Sequence, residues 1–187
     1  SIVGPSGTGK SVLLKTTIAL IVPDKGDVLI DGQSVASATP DELQEIRRKA
    51  GYVFQNAALF DSMTVYENVS FALREHTQLS EDQIRAKVRE KLGIVGLQNV
   101  EERYPAELSG GMRKRVGLAR AIVLDPKIVL YDEPTTGLDP ITTDYVDDMI
   151  LTAKRELQVT QVVISHDIAS SFKVADKVAF LFKGKIV

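Results

Sequence analysis

The stretch Gly4–Ser11, which reads GPSGTGKS, restricts the fold of this chain more than any other segment. Its glycines allow a tight backbone loop in which successive N–H groups point inward, towards an anion. A short apolar strand, SIVG, leads into it, and the residues from Lys10 to about Leu20 recur at helical spacing. A strand, a glycine-rich loop and a helix start in this order indicate a binding site for phosphate groups.

The loop fits the P-loop pattern G-x-x-x-x-G-K-[ST]. In that pattern Lys10 reaches the β- and γ-phosphates of a nucleotide, and the hydroxyl of Ser11 holds Mg²⁺. The alternative is a chance glycine-rich turn. The flanking strand and helix make that alternative the weaker one, so we predict a nucleotide site.

A second segment, KIVLYDE at Lys127–Glu133, predicts a buried strand that ends in two acids. The carboxylate of Asp132 can hold Mg²⁺ through water, and that of Glu133 can polarise an attacking water molecule. Alone, two acids before Pro134 would indicate only a turn. The upstream P-loop favours the catalytic interpretation.

Strands alternate with helices along much of the chain, which predicts an α/β fold with a mainly parallel sheet covered on both faces. The predicted strands are SIVG, Gly26–Gly32, Ala50–Gln55, Lys127–Glu133, Thr160–Asp167 and Lys177–Val187. The predicted helices follow Gly9 and Thr39 and span Met63–Glu75, Ser80–Leu97, Ile141–Leu157 and Ile168–Ala175. We expect one domain, with residues 1–55 and 115–187 as its P-loop core and 56–114 as an inserted helical subdomain.

Composition excludes several classes of protein. The formal net charge of −2 argues against a general nucleic-acid binder, and the absence of cysteine excludes disulfides and thiolate metal sites. No apolar run is long enough to span a bilayer, and no signal peptide is visible. The chain starts on a strand end at Ser1, so we expect a segment of a longer domain.

Six motifs in order resemble those of the ATP-binding cassette (ABC) ATPases, whose core has the RecA-like P-loop fold. GPSGTGKS looks like Walker A, VFQN like the Q-loop and LSGGM like the signature. IVLYDEP looks like Walker B, TTGLDP like the D-loop and ISHD like the switch segment. The resemblance covers essentially the whole chain, although Met112 stands where the signature usually has Gln. The segment that usually carries the adenine-stacking residue is not part of the sequence.

The resemblance implies an ATP hydrolase that binds ATP and Mg²⁺ and works as a head-to-tail dimer. In such a dimer each ATP lies between the Walker A loop of one chain and the signature of the other. The expected catalytic residues are Glu133, His166, Gln55 and Lys10, and the expected metal-holding residues are Ser11, Gln55 and Asp132. The expected nucleotide-binding residues are Gly4, Pro5, Ser6, Gly7, Thr8, Gly9, Lys10, Ser11, Thr16, Ser109, Gly110, Gly111 and Asp139.

Several of these residues have plainer interpretations. Ser109 with its glycines could be an ordinary helix cap, Asp139 a turn former before Pro140, and His166 a structural histidine. Because the other motifs of the family are also present and in order, we favour the functional roles. We assign no role to His76.

A narrower resemblance is to the cassettes of Mla-type systems, which move phospholipids between bacterial membranes with a permease and a mammalian-cell-entry (MCE) protein. It implies a peripheral protein on the cytoplasmic face of the inner membrane. The alternatives are an importer cassette for amino acids or other solutes, a lipoprotein-type exporter cassette, an ABC ATPase acting on DNA or ribosomes, and a simple P-loop kinase. The permease contact is expected around Leu59, Phe60 and Met63, which could instead be subdomain core.

Overall fold

The computed structural model describes residues 1–187 as an α/β fold built on one six-stranded sheet. The strands are β1 (Ile2–Val3), β4 (Ala50–Val53), β5 (Ile128–Asp132), β6 (Thr160–Ser165), β7 (Ala179–Phe182) and β8 (Lys185–Ile186), in the order β4-β5-β6-β1-β7-β8. All neighbours pair in parallel except β7 and β8, which are antiparallel. A separate antiparallel pair joins β2 (Leu29–Ile30) and β3 (Gln33–Ser34). The predicted α/β class is confirmed.

Helices cover both faces of the sheet. The α-helices are α1 (Lys10–Thr16), α2 (Pro40–Arg48), α3 (Val65–His76), α4 (Glu81–Ile94), α5 (Gly110–Ala121), α6 (Pro140–Leu157) and α7 (Ile168–Val174). On one face, Leu14 of α1 packs with Leu130 and Ile164. On the other, Val129 and Tyr131 belong to a core of 26 buried residues that continues through α3, α4, α5 and α6. Alternate side chains of the central strands therefore anchor both layers.

The topology places the carboxyl ends of four neighbouring parallel strands at one edge of the sheet. The P-loop follows β1, Gln55 follows β4, Glu133 follows β5 and His166 follows β6. Register supports this, since Asp132 pairs with Ile164 and Val3 with Ser165. Ligands of open α/β sheets bind beyond the carboxyl ends of the strands. The fold thus gathers segments that are far apart in sequence.

Several predicted elements are shorter or divided in the structure. The predicted strand Gly26–Gly32 contributes only β2, which lies outside the main sheet, and Lys177–Val187 forms the hairpin β7–β8 rather than one strand. The strand from Ala50 ends at Val53 instead of Gln55. Helix α1 ends at Thr16 rather than Leu20, and Ala19 has a φ of 52° that a helix cannot accommodate.

Residues 56–108 contain helices and no strand, as predicted. Helix α5 crosses the predicted boundary between residues 114 and 115, and one core spans both predicted parts. The division into a core and a helical subdomain stays a prediction. None of the helices combines the length and apolar character that a membrane span requires.

Candidate nucleotide-binding site

The loop Gly4–Gly9 joins β1 to α1 and leaves open space in front of it. Gly7 and Gly9 have φ angles of 79° and 95°, and a Cβ atom at either would meet nothing within 4 Å. Glycine adopts this backbone without strain. The Thr8 hydroxyl braces the loop by donating to the Pro5 carbonyl at 2.8 Å. The loop therefore has both the shape and the room to enclose a phosphate group.

Lys10 places a buried cation at this loop. Its Nζ donates to the carbonyl oxygens of Gly4 at 2.9 Å and Pro5 at 3.2 Å. The same atom lies 3.4 Å from Oε1 of Glu133. The P-loop and the residue after β5 thus meet through an ion pair, although β6 separates their strands in the sheet.

Hard oxygen atoms that suit Mg²⁺ lie beside the loop. The Ser11 hydroxyl donates to Oδ1 of Asp132 at 2.7 Å, and the Tyr52 hydroxyl donates to Oδ2 at 2.9 Å. Burial and the Asp132 charge raise the pKa of Tyr52, so this hydroxyl stays protonated and keeps donating. The Ser11 hydroxyl, the Asp132 carboxylate and the amide oxygen of Gln55 are the kinds of oxygen ligand that Mg²⁺ prefers.

Glu133 lies directly after β5 with a φ of 51°, a conformation that non-glycine residues adopt rarely and mostly under constraint. Its Oε2 lies 2.6 Å from Nδ1 of His166 and accepts hydrogen bonds from the Thr136 hydroxyl at 3.0 Å and the His166 N–H at 3.3 Å. Burial would raise the pKa of Glu133, but the hydrogen bonds from His166 and Thr136 outweigh it and lower the pKa. The carboxylate is therefore charged and fixed.

Many of these groups line one cleft of about 380 Å³ at the carboxyl edge of the sheet. Its lining residues are Ser6, Gly7, Gly9, Lys10, Ser11, Val12, Gln55, Glu133, Thr136 and His166. All four predicted catalytic residues are in this set. Gly4, Pro5, Thr8 and Asp132 lie next to lining residues without lining the cleft themselves. Thr16 is also outside it, at the far end of α1, where its hydroxyl donates to the Leu13 carbonyl. Its role, like that of the others, stays a prediction.

The signature lines a second cleft, of about 440 Å³, together with the D-loop. Ser109 caps α5 by accepting from the Met112 N–H at 3.2 Å, and Gly110 and Gly111 form the first turn. Asp139 caps α6 by accepting from the N–H groups of Ile141 and Thr142, both at 3.0 Å. The plain capping roles of Ser109 and Asp139 are therefore real, and they leave the cleft itself open to a ligand.

Three polar residues at the site were not predicted from the sequence. Tyr52 holds Asp132, Thr136 holds Glu133, and Lys114 donates to the backbone of the turn after Glu133. Tyr52 offered a signal, because a hydroxyl on a buried strand needs a partner. Lys114 offered none, since its partners are set by tertiary packing, and the bond of Thr136 to Glu133 depends on the conformation of the turn that they share.

Comparisons with known proteins agree on one family. Residues 1–136 match the family described as "ABC transporter". The chain is 47% identical over 186 residues to the "Probable ribonucleotide transport ATP-binding protein mkl" of Mycobacterium tuberculosis (strain ATCC 25618 / H37Rv), covering 100% of this chain and 52% of that protein. It therefore spans about half the length of this relative.

A second relative is covered more fully. The chain is 41% identical over 187 residues to the "Intermembrane phospholipid transport system ATP-binding protein MlaF" of Haemophilus influenzae, covering 100% of this chain and 71% of that protein. Among solved structures, the dimeric post-hydrolysis state of the ATP-binding cassette MJ0796 bound to ADP and Pi is similar with a TM-score of 0.89. Its sequence is 34% identical, and the match covers 99% of this chain and 81% of that one.

The parallel sheet, the P-loop and the acidic end of β5 define a P-loop nucleotide-binding domain. The chain belongs to the ABC transporter family, as the order of its motifs predicted. Within that family it is similar to the MlaF-type ATP-binding proteins, which confirms the narrower resemblance.

Proposed function

We propose that this chain is the nucleotide-binding part of an ATP hydrolase that powers an ABC membrane transporter. The observation that carries the proposal is the Glu133 carboxylate, held by His166 and Thr136 and 3.4 Å from Lys10, at the open cleft of the P-loop. A fixed charged base beside a phosphate-binding loop suits attack by water on a phosphoryl group.

Each residue has a defined task in this proposal. The P-loop N–H groups and Lys10 bind the phosphates, and Glu133 polarises the water molecule that attacks. His166 orients Glu133 through the 2.6 Å contact. Ser11, Asp132 and Gln55 would hold Mg²⁺, which supplies positive charge to the phosphates when bound.

The hydrolytic role of Glu133 is tested by Glu133→Gln in the full-length protein. Shape is kept while the base is lost, so kcat should fall roughly 100-fold or more, with ATP affinity unchanged. Glu102→Gln, at an exposed position outside both clefts, is the matched control and should turn over normally. Near-normal turnover in Glu133→Gln would remove Glu133 from the mechanism.

Two copies of the chain are proposed to form a head-to-tail dimer with two composite ATP sites. The support is the existence of two clefts, one at the P-loop and one at the signature, that share no lining residue. The similar MJ0796 cassette is described as dimeric with bound ADP and Pi. Ser109, Gly110, Gly111 and Asp139 would then face the nucleotide held by the partner.

The permease is proposed to dock in a mostly apolar groove of about 360 Å³ that adjoins the Q-loop segment. Phe54, Phe60 and Phe71 contribute to its walls, with Arg47, Arg48 and Arg120 around them. Phe60 is 47% exposed and Phe71 43%, and their ring centroids lie 5.7 Å apart, so they present one joint apolar patch. Leu59 instead packs against the main core, so the predicted surface is partly core.

The groove is tested by coexpression with the transporter's own permease. Phe71→Asp should abolish copurification of the permease while ATP binding by the cassette is kept, because a charge would be desolvated in the interface. Phe172→Asp on α7, where the side chain is 69% exposed and outside the groove, should copurify normally. Equal copurification of both variants would place the permease contact elsewhere.

The cargo is proposed to be a phospholipid, and the protein to act at the cytoplasmic face of a bacterial inner membrane with an MCE-type partner. Support comes from the 41% identity to MlaF over the whole chain. The name of the mycobacterial relative suggests ribonucleotides instead. Deleting the gene should weaken the outer permeability barrier to detergents. Loss of uptake of a soluble nutrient with an intact barrier would favour the alternative cargo.

A further inference from the structure

Lys114 connects the two clefts physically. It lies on α5, five residues after Ser109, and its Nζ donates to the carbonyl oxygens of Pro134 at 2.8 Å and Thr136 at 2.7 Å. Both carbonyls belong to the turn Glu133–Gly137. The turn begins at the P-loop cleft, which Glu133 lines, and ends at the signature cleft, which Gly137 lines.

This turn has few bonds of its own and a strained start. Its internal backbone bonds are long, at 3.3 Å from the Thr136 N–H to the Glu133 carbonyl and 3.2 Å from the Leu138 N–H to the Thr135 carbonyl, and its start is anchored by the Glu133 N–H, which donates to the Ile164 carbonyl at 3.0 Å. Glu133 has a φ of 51°. Such a backbone persists only where its surroundings hold it, and the half-buried ammonium of Lys114 supplies two charge-assisted hydrogen bonds.

We infer that Lys114 is a positioning residue for hydrolysis, which holds the turn carrying Glu133 at a fixed place relative to the signature end of α5. The inference rests on the proposed role of Glu133. Helix α5 runs without interruption from Gly110 to Ala121, so its start and Lys114 move together. A phosphate bound at Ser109–Gly111 would therefore help to fix, through α5 and Lys114, the position of Glu133 in the other cleft of the same chain.

The alternative is that Lys114 only satisfies two carbonyl groups and stabilises the fold. A double-mutant cycle in the full-length protein separates the two roles, with kcat, ATP KM and nucleotide affinity measured for each variant. The variants are Lys114→Met, Glu133→Gln and the double variant, with slow rates followed by single turnover of radiolabelled ATP. Lys127→Met is the control, because Lys127 is an exposed lysine whose partner is Asp31, outside both clefts.

A positioning role predicts that Lys114→Met lowers kcat roughly 10- to 100-fold, with KM and ATP affinity within about twofold of wild type. In the Glu133→Gln background the same change should have no further effect, because the base it positions is already absent. Lys127→Met should leave all three quantities unchanged. Should Lys114→Met melt below the assay temperature, Lys114→Gln, which keeps a single donor group, replaces it in the same cycle.

Two results would overturn the inference. One is a kcat for Lys114→Met within about twofold of wild type, and the other is an equal loss in the wild-type and Glu133→Gln backgrounds, which would show an effect independent of the base. Absence of ATP hydrolysis by the wild-type protein would instead refute the proposed function, so the two failures can be told apart.

Discussion

At the scale of single residues, the site depends on opposing effects at Glu133. Burial favours the protonated form of its carboxyl group, whereas hydrogen bonds from His166 and Thr136 favour the charged form and prevail. A carboxylate whose pKa is depressed in the folded protein contributes stability above its unfolded value of 4.5. That contribution is lost as the pH falls through the lower, folded value.

His166→Ala should therefore raise the pKa of Glu133, because burial is then opposed by fewer hydrogen bonds. A ¹³C NMR titration of the side-chain carboxyl group measures the shift directly, from pH 7 down to the acid unfolding limit. ATP turnover at pH 7 should fall by about 100-fold as the base loses its orientation.

His76→Ala is the matched control for this prediction. His76 lies at the end of α3 and its Nδ1 is 3.4 Å from Arg48, with no contact to Glu133. The pKa of Glu133 should be the same in this variant as in wild type. An unchanged pKa in His166→Ala as well would show that the 2.6 Å contact does not control the charge of Glu133.

The motif residues of the site could be predicted because their chemistry fixes their identity. A P-loop needs glycines and a lysine, and the end of a second parallel strand, here β5, needs acids that can hold Mg²⁺ and polarise water. The supports could not be predicted in the same way. Lys114 acts on two turn carbonyls about 20 residues away, which only the folded position of α5 brings close. Thr136 acts on Oε2 of Glu133 within one turn, whose shape depends on the left-handed backbone of Glu133.

At the scale of elements, α5 makes a close contact with β4 that depends on a glycine. A Cβ atom built on Gly51 would lie 2.3 Å from the Ala121 carbonyl oxygen and 3.3 Å from Cγ of Pro126. The nearer atom is backbone at the end of α5, so relief requires that the helix and the strand move apart. This glycine sets the distance between the signature helix and the edge strand.

Gly51→Ala should lower the free energy of unfolding by about 1–3 kcal/mol through overpacking. Gly93→Ala in α4 provides a control of opposite sign. A Cβ there meets nothing within 4 Å, so the better helix propensity of alanine should stabilise the protein by up to about 1 kcal/mol. Urea denaturation of both variants measures the two changes in stability. Equal denaturation midpoints for Gly51→Ala and Gly93→Ala would contradict the close contact at Gly51.

Helix starts were predicted more accurately than strand extents. Thr39 and Ser80 form capping boxes with Glu42 and Gln83, and each helix begins at the residue after the cap.

Thr39→Ala should lower the free energy of unfolding by about 1 kcal/mol, which thermal or urea denaturation can measure. An unchanged stability would mean that the cap is not needed for α2.

The prediction of one strand over Lys177–Val187 failed because a two-residue turn lies inside the apolar run. Lys183 and Gly184 have φ angles of 46° and 74°, so the run reverses direction as a hairpin instead of continuing. Asp31 and Gly32, with φ angles of 50° and 77°, form a second such turn at the end of the predicted strand Gly26–Gly32. The Asp-Gly pair was a readable signal for that turn, whereas Lys-Gly is a weaker one.

At the scale of the whole molecule, the chain presents two clefts that lie on either side of the turn Glu133–Gly137. One contains the P-loop and the base, and the other contains the signature and the D-loop. The two clefts share no lining residue, and in the proposed dimer each would be one half of an ATP site. The central claim is that a second copy completes each of them.

Disulfide trapping tests this claim most directly, since the chain contains no cysteine. Ser6→Cys is exposed in the P-loop, and Gly110→Cys has room because the nearest atom to its Cβ is Arg113 Nη2 at 3.9 Å. A disulfide needs Cα atoms within about 7 Å, which a shared nucleotide site would provide across the dimer. Each single variant should form no covalent dimer on oxidation, because like positions lie apart across the two-fold axis.

The double variant, made in full-length Glu133→Gln protein and first shown to bind ATP, should form covalent dimers under mild oxidation, and faster with ATP present than without it. Gel electrophoresis under non-reducing conditions measures both. Covalent dimers that need ATP are the result the account predicts. With ATP binding intact, only intramolecular bridges, or no bridge at all, would contradict it and assign the signature cleft to its own chain.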